Sequence, residues 1–283
     1  RYSKDVDRRL EELIPPQSQP PTELHAAMRY SCLAPGKRLR PALCIASAQA
    51  VDADGPGALD AACGIELVHC FSLIHDDLPA IDDDDLRRGR ETCHVRFGQA
   101  LAILAGDALF ALAYQVLSEC PAHPERILKC VQALARAAGS EGLVGGEVAD
   151  VLSEGLKPSP ETVAFVHSRK TGALISASCE IGGLIGGASE QQLECLRRYG
   201  SHVGLAFQIA DDILNETSTP EALGKSAGSD RVRLKATYPA VYGMEASQRA
   251  AREEAELGIA SLGPLADSHA LVELARYSAS RLR

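Results

Sequence analysis

Apolar residues recur along this chain at helical spacing, in stretches of about 12–25 residues. No run alternates with the two-residue period of a half-buried strand. The stretches are separated by Pro15–Pro21, Pro35-Gly36, DADGPG at 52–57, Pro121–Pro124, GLKPSP at 155–160 and GGAS at 186–189. Helix-start signals fall where this punctuation ends. Ser159-Pro160-Glu161 puts proline at a first helical position with a carboxylate beside it. Ser189 followed three residues later by Gln192 fits a capping box. The pattern predicts roughly ten helices and no sheet. No break reads as a domain linker, so residues 1–283 form one all-α domain.

Composition narrows how such helices pack. The chain has 283 residues, 46% of them hydrophobic but only 4% aromatic, with no Trp. Its core must therefore be built from Ala, Leu, Ile and Val. That apolar content excludes a disordered chain, and the composition excludes collagen-like and disulfide-stapled folds. Nine cysteines are scattered from Cys32 to Cys195 without a C-x-x-C pair. They read as free thiols in a reducing, cytoplasmic setting. The best apolar stretch, Leu101 to Leu117, contains Asp107 and is marginal in length, so no membrane span is expected.

The charge is concentrated. Residues 76–85 read DDLPAIDDDD, so six acids in ten positions carry most of a net charge of −9. Nothing resembles the basic face of a nucleic-acid binder. Asp76 and Asp77 follow a long apolar run, and Pro79 disfavours helix at Leu78, so the chain turns there and Asp82 folds back towards Asp76. Carboxylates this close raise one another's pKa unless cations sit among them. Oxygen-only ligands suit hard cations, and Mg2+ is usually held by one or two carboxylates plus substrate phosphates. A second acidic pair, Asp211-Asp212, ends another apolar helical run, with Gln208 on the same face at i, i+3, i+4 spacing. Arg87, Arg88 and Arg90 follow the first pair, and Lys225 and Lys235 follow the second. These charges either pair among themselves or hold a diphosphate-like anion bridged by Mg2+.

At these residues the chain resembles the trans-prenyl diphosphate synthases, and most of all the bacterial farnesyl diphosphate synthases. The matching motifs are GKRLRP (36–41), SLIHDDLPAIDDDDLRRGRETCH (72–94), FGQALAILAGDAL (97–109), RKTGALI (169–175), LAFQIADDIL (205–214), LGKSAGSD (223–230) and KATYPA (235–240). They occur in the family's order from about residue 4 onward.

The resemblance implies an isoprenoid-synthase-type bundle of roughly ten or more helices around a deep central cavity, assembled as a homodimer. Asp76 and Asp82, with Asp77 supporting, and Asp211, with Asp212 nearby, would hold three Mg2+ on an allylic diphosphate. Arg87, Lys170 and Lys225 would grip that diphosphate, with Lys235 in the same basic rim. Isopentenyl diphosphate would sit on Lys37, Arg40, His69 and Arg88, with Gly36 allowing close approach. Thr171 and Gln208 would face the reacting carbons. The implied reaction ionises the allylic C–O bond, stabilises the departing diphosphate, and shields an allyl cation from water. The isopentenyl double bond then attacks, and a proton is lost to the released diphosphate.

Product length is carried by Phe71, five residues and about 7.5 Å before Asp76 along the helix. In the bacterial farnesyl synthases that the chain resembles, an aromatic fills the matching position. The resemblance therefore implies a C15 product, farnesyl diphosphate, unless Phe71 is ordinary core. Geranyl or geranylgeranyl diphosphate remains the alternative, as does a weakly active subunit of a heteromeric synthase. The second motif departs from the family's DDxxD, because Asn215 replaces its third acid and Thr219 stands where another is common. A weaker third metal site is expected from this. A di-iron bundle would need two Glu-x-x-His motifs, and only Glu66-x-x-His69 is present. A metal-dependent phosphohydrolase using His75 and Asp76 would leave the second aspartate pair and GKRLRP without a role.

Overall fold

The computed structural model describes residues 2–51, 57–217, 235–263, 265 and 267–280. Its architecture is helical, as the pattern predicts. The elements are α1 (Tyr2–Leu13), α2 (Thr22–Cys32), α3 (Leu39–Val51), α4 (Ala58–Asp76), α5 (Cys93–Phe97), α6 (Gln99–Ser118), α7 (Pro124–Ala138), α8 (Leu143–Ser153) and α9 (Pro160–Val166). A π-helical turn, His167–Gly172, joins α9 to α10 (Ala173–Gly186). The long α11 (Glu190–Thr217) follows, then α12 (Tyr238–Tyr242), α13 (Met244–Ala260) and α14 (His269–Ser280).

The capping signals act as read. Ser159 accepts a hydrogen bond from the backbone N–H of Thr162 at the start of α9. Ser189 and Gln192 satisfy each other's backbone N–H groups before α11.

Helices α3, α4 and α10 are apolar around most of their circumference and are buried accordingly. The largest core cluster joins them to α1, α2, α6 and α7. Scarcity of aromatics is compatible with this because small residues let backbones touch. A Cβ on Gly182 of α10 would lie 2.1 Å from the Cys44 carbonyl oxygen of α3. Tyr199, fully buried on α11, donates its hydroxyl to the Leu271 carbonyl at 2.6 Å and ties α14 to the bundle. All nine cysteines are free thiols, eight of them buried.

One element departs from the expected absence of sheet. Strands β1 (Leu86–Arg87) and β2 (Arg90–Glu91) pair antiparallel, Leu86 opposite Glu91. The turn residues Arg88 and Gly89 both have positive φ, 55° and 74°, as a type I′ hairpin requires. Two-residue strands are too short to show an alternating pattern. Two helices, α4 and α6, have the length and composition to cross a membrane. In this fold α4 is a core helix, and α6 packs on α2, α4, α5 and α7.

Candidate active site

Helix α4 delivers the first aspartate motif and then stops. Past Asp76 the backbone closes on itself, the Asp82 N–H donating to the Asp76 carbonyl at 2.8 Å and Asp83 N–H to Leu78 at 3.0 Å. Asp83 sits at φ 49°, a left-handed conformation that a non-glycine residue rarely adopts. The fold-back anticipated from Pro79 is therefore present. Asp77 is buried at 3% exposure. Arg87 forks onto it, with Nε donating at 2.7 and 2.9 Å to its two oxygens. Both residues expected at the diphosphate are thus committed to each other, and Asp77 serves as the anchor of Arg87.

Opposite Asp76 lie two carboxylates that sequence reasoning missed, Glu147 and Asp150 on α8. Lys170 places its ammonium 2.7 Å from Glu147 and 2.6 Å from Asp150. Lys235 reaches Asp82 at 2.7 Å and Asp150 at 3.3 Å. Burial, with Glu147 adding to it, pushes the Asp76 carboxyl up to about 7. Burial alone would depress the Lys170 ammonium, but Asp150, Asp76, Glu147 and Asp82 together hold it well above its ordinary value. The π turn sets Lys170 on this cluster while its neighbour Thr171 donates to the Gln208 side-chain oxygen at 2.6 Å. Such turns recur at functional sites.

Helix α11 carries the second motif. Gln208 donates to Asp212 at 2.8 Å, one turn on along the helix, whereas Asp211 points to a more exposed side than the face expected to hold all three. Asp212 is buried and also receives the Tyr238 backbone N–H at 2.8 Å, with His167 Nε2 at 3.1 Å. It braces α11 against the π turn and α12. Asp211 is exposed, whereas Asn215 is buried at 7%. Lys225 and Thr219 lie outside the described residues.

A third group of cations gathers beside α4. Arg40 is buried, its Nε has no hydrogen-bond partner, and burial lowers its pKa. Its Nη1 is 3.3 Å from His69 Nε2. Burial, then Arg40 and Arg88, drive the His69 pKa well down, so this ring is neutral and can accept from Arg40. Arg88 donates to the Pro35 carbonyl at 2.7 Å. A Cβ on Gly36 would lie 2.6 Å from Arg88 Nη1, so the Arg88 guanidinium lies close against this loop. Lys37 is exposed at the same loop. His69 and Arg88 line a cavity between α2, α4 and the hairpin, together with Tyr30, Glu66 and Cys70. Arg38 belongs to the framework instead. At 4% exposure it pairs with Glu66 at 2.7 Å and Asp7 at 2.8 Å.

Phe71 lies half-buried on α4, its ring centroid 4.9 Å from Phe110 of α6, which in turn meets Tyr114 edge-on at 5.1 Å.

Asp76 faces the carboxylates of Glu147 and Asp82 and the cations of Lys170 and Arg87. Among the described residues no three carboxylates are already grouped around a metal position, but carboxylate oxygens are the donors that suit a hard divalent cation. The sequence profile of the polyprenyl synthetase family matches residues 21–261. The chain belongs to the polyprenyl synthetase family. It is a prenyl diphosphate synthase, that is, a prenyltransferase of isoprenoid biosynthesis. Family members depend on Mg2+. The chain is 45% identical to geranylgeranyl pyrophosphate synthase 12, chloroplastic, of Arabidopsis thaliana, over 99% of this chain and 80% of that protein. Among solved structures it is similar to an FPP/GFPP synthase from Zymomonas mobilis, with TM-score 0.85 and 37% identity over 98% of this chain and 96% of the other. It is also similar to a geranyltransferase from Helicobacter pylori complexed with magnesium and isoprenyl diphosphate. There the TM-score is 0.84 and the identity 28%, over 98% and 94% of the two chains.

Proposed function

We propose that this polyprenyl synthetase condenses isopentenyl diphosphate with dimethylallyl and then geranyl diphosphate, releasing diphosphate and farnesyl diphosphate (C15). The observation that carries the reaction is the convergence of Asp76, Asp82, Lys170 and Lys235, with the Thr171–Gln208 pair carried by the same turn as Lys170. Asp76, Asp82 and Asp211 would hold three Mg2+, with Asp77 and Asp212 bracing the two motifs. Bound there, Mg2+ would neutralise the allylic diphosphate and stabilise it as a leaving group.

The remaining work falls to the chain. Lys170, Lys235 and Lys225 supply positive charge to the departing diphosphate, and Arg87 adds to it from its anchor on Asp77. Gln208 and Thr171 turn their dipoles towards the allyl cation. Lys37, Arg40 and Arg88 bind the second diphosphate without metal, and His69 steadies Arg40 by accepting its N–H. No protein nucleophile is needed.

Phe71 supports C15, because its ring, backed by Phe110, would floor the cavity. A C20 product is the second reading, favoured by the geranylgeranyl name of the Arabidopsis relative. Incubating pure protein with Mg2+, isopentenyl diphosphate and dimethylallyl or geranyl diphosphate tests both. Mass spectrometry should show C15; C20 would select the second reading, and no prenyl product would overturn the function.

Residues 1–283 would act as one catalytic domain in a cytoplasmic homodimer. The outward apolar residues of α6, Ile103 and Leu104 at 43% and 54% exposure, support a second copy against that helix. Light scattering of the pure protein should give twice the chain mass.

A further inference from the structure

The π turn grips α11 at two points. Thr171 donates its hydroxyl to the Gln208 side-chain oxygen at 2.6 Å, and four residues earlier His167 holds Nε2 3.1 Å from Asp212 Oδ2. The two rungs are joined along α11, where Gln208 Nε2 donates to Asp212 Oδ1 at 2.8 Å. The backbones beneath them nearly touch, since a Cβ on Gly204 would lie 3.0 Å from the Gly172 Cα. His167, Thr171 and Asp212 are all buried. The ring of His167 stacks on Tyr238, centroids 6.2 Å apart at 18°. Its Nδ1 is sealed without a hydrogen-bond partner. Among the described residues Asp212 is therefore the one polar partner of this ring.

The inventory of donors and acceptors gives these bonds a direction. A carboxylate only accepts, and Asp212 accepts from His167 Nε2, from Gln208 and from the Tyr238 backbone N–H. Facing Asp212, the Gln208 amide must present its NH2 there and its oxygen to Thr171. An amide oxygen also only accepts, so Thr171 is the donor in the second rung. Its hydroxyl proton is committed, and lone pairs are what its oxygen has left to offer. An oxygen turned that way stabilises a positive charge, whereas the reverse rotation would present a proton and oppose it. In such a chain the orientation of one group dictates the next.

We propose that His167 is a positioning residue for the condensation. By holding Asp212 it locks the Gln208 amide in one orientation, and so keeps the lone pairs of Thr171, rather than its proton, for the allyl cation. The proposal rests on the prenyltransferase reading and adds to it a residue that acts only through other side chains. The lock is made of protein groups alone, so it is present in the metal-free chain.

The test compares His167→Phe, which keeps a ring but removes the N–H, with His167→Gln, which restores a donor. In the metal-free full chain labelled with 15N-glutamine, the Gln208 side-chain amide is assigned by its loss in Gln208→Glu. Its protons should exchange with solvent slowly in the unmodified chain and in His167→Gln, and about tenfold or more faster in His167→Phe. With substrates, His167→Phe should lower kcat about tenfold and leave both KM values nearly unchanged; His167→Gln should recover most of the loss. In a Thr171→Val background His167→Phe should cost nothing further, because the effect runs through that hydroxyl. Additive losses in the double variant, or unchanged amide exchange in folded His167→Phe, would overturn the proposal. Should His167→Phe not fold, His167→Gln decides: a folded variant whose Gln208 amide has lost its protection overturns it equally. Failure of the prenyltransferase reading would appear separately, as absence of prenyl product from the unmodified chain whatever the amide exchange gives.

Discussion

The ring of Phe71 on α4 packs 4.9 Å from that of Phe110 on α6, at an interplanar angle of 58°. The two rings close the space between these helices five residues before Asp76. Phe71→Ala should therefore lengthen the product to C20 or beyond, read by mass spectrometry of the dephosphorylated prenols. Phe110→Ala should do so to a smaller extent. A C15 product from Phe71→Ala would locate the floor elsewhere.

Two arginines of GKRLRP, two positions apart, should fail in different ways. Arg38 is buried in a salt-bridge framework, so Arg38→Ala should cost about 3–5 kcal/mol of stability, measured by denaturant unfolding. Arg40 has a donor with no partner in the protein. Arg40→Lys should raise the KM for isopentenyl diphosphate about tenfold and leave the unfolding midpoint nearly unchanged.

Asp77 and Arg87 form a buried fork, and removing either leaves an uncompensated charge. Asp77→Ala should destabilise the fold by about 3 kcal/mol and weaken allylic diphosphate binding through the loss of Arg87's anchor. If Asp77→Ala unfolds like the unmodified chain, the anchoring role is wrong.

His69 gives a pH signature. Its folded pKa lies well below 6.5, chiefly through burial and then Arg40, so the unfolded chain binds a proton that the folded chain refuses. Stability from this group is present above about pH 6.5 and declines as the pH falls below it. The difference in melting temperature between the unmodified chain and His69→Gln should shift in favour of the variant between pH 7 and pH 5, about the range over which histidine titrates. A difference independent of pH would remove the argument.

Asn215, buried on α11, stands where the family pattern has an acid. Asn215→Asp should lower the Mg2+ concentration needed for half-maximal activity several-fold, about 1 kcal/mol in binding. An unchanged Mg2+ dependence would assign the third metal site to other residues.

Much of this site is legible because its chemistry is local in sequence. Pro79 announces the fold-back of the first motif, and the spacing of Gln208 and Asp212 announces their bond along one face. The Ser159 and Ser189 caps are written in residue type. Glu147 and Asp150 escape because each is one acid in an apolar helix, and only tertiary packing brings them to Lys170. The Asp77–Arg87 fork escapes for another reason: an acidic run does not tell which carboxylate turns inward. The hairpin at 86–91 is too short for periodicity, and its turn places Arg88 at a φ that side chains usually avoid.

The π turn at His167–Gly172 has a consequence for length rather than composition. Such a turn holds about one residue beyond what the α-helical ladder needs. Deleting one residue there would let the α-helical ladder close with its flanks in nearly the same relation, so the loss would fall on the side chains that the turn itself displays. Lys170 could then keep its carboxylates or Thr171 could keep Gln208, but not both. Along this stretch the number of residues encodes the site as firmly as their identities do.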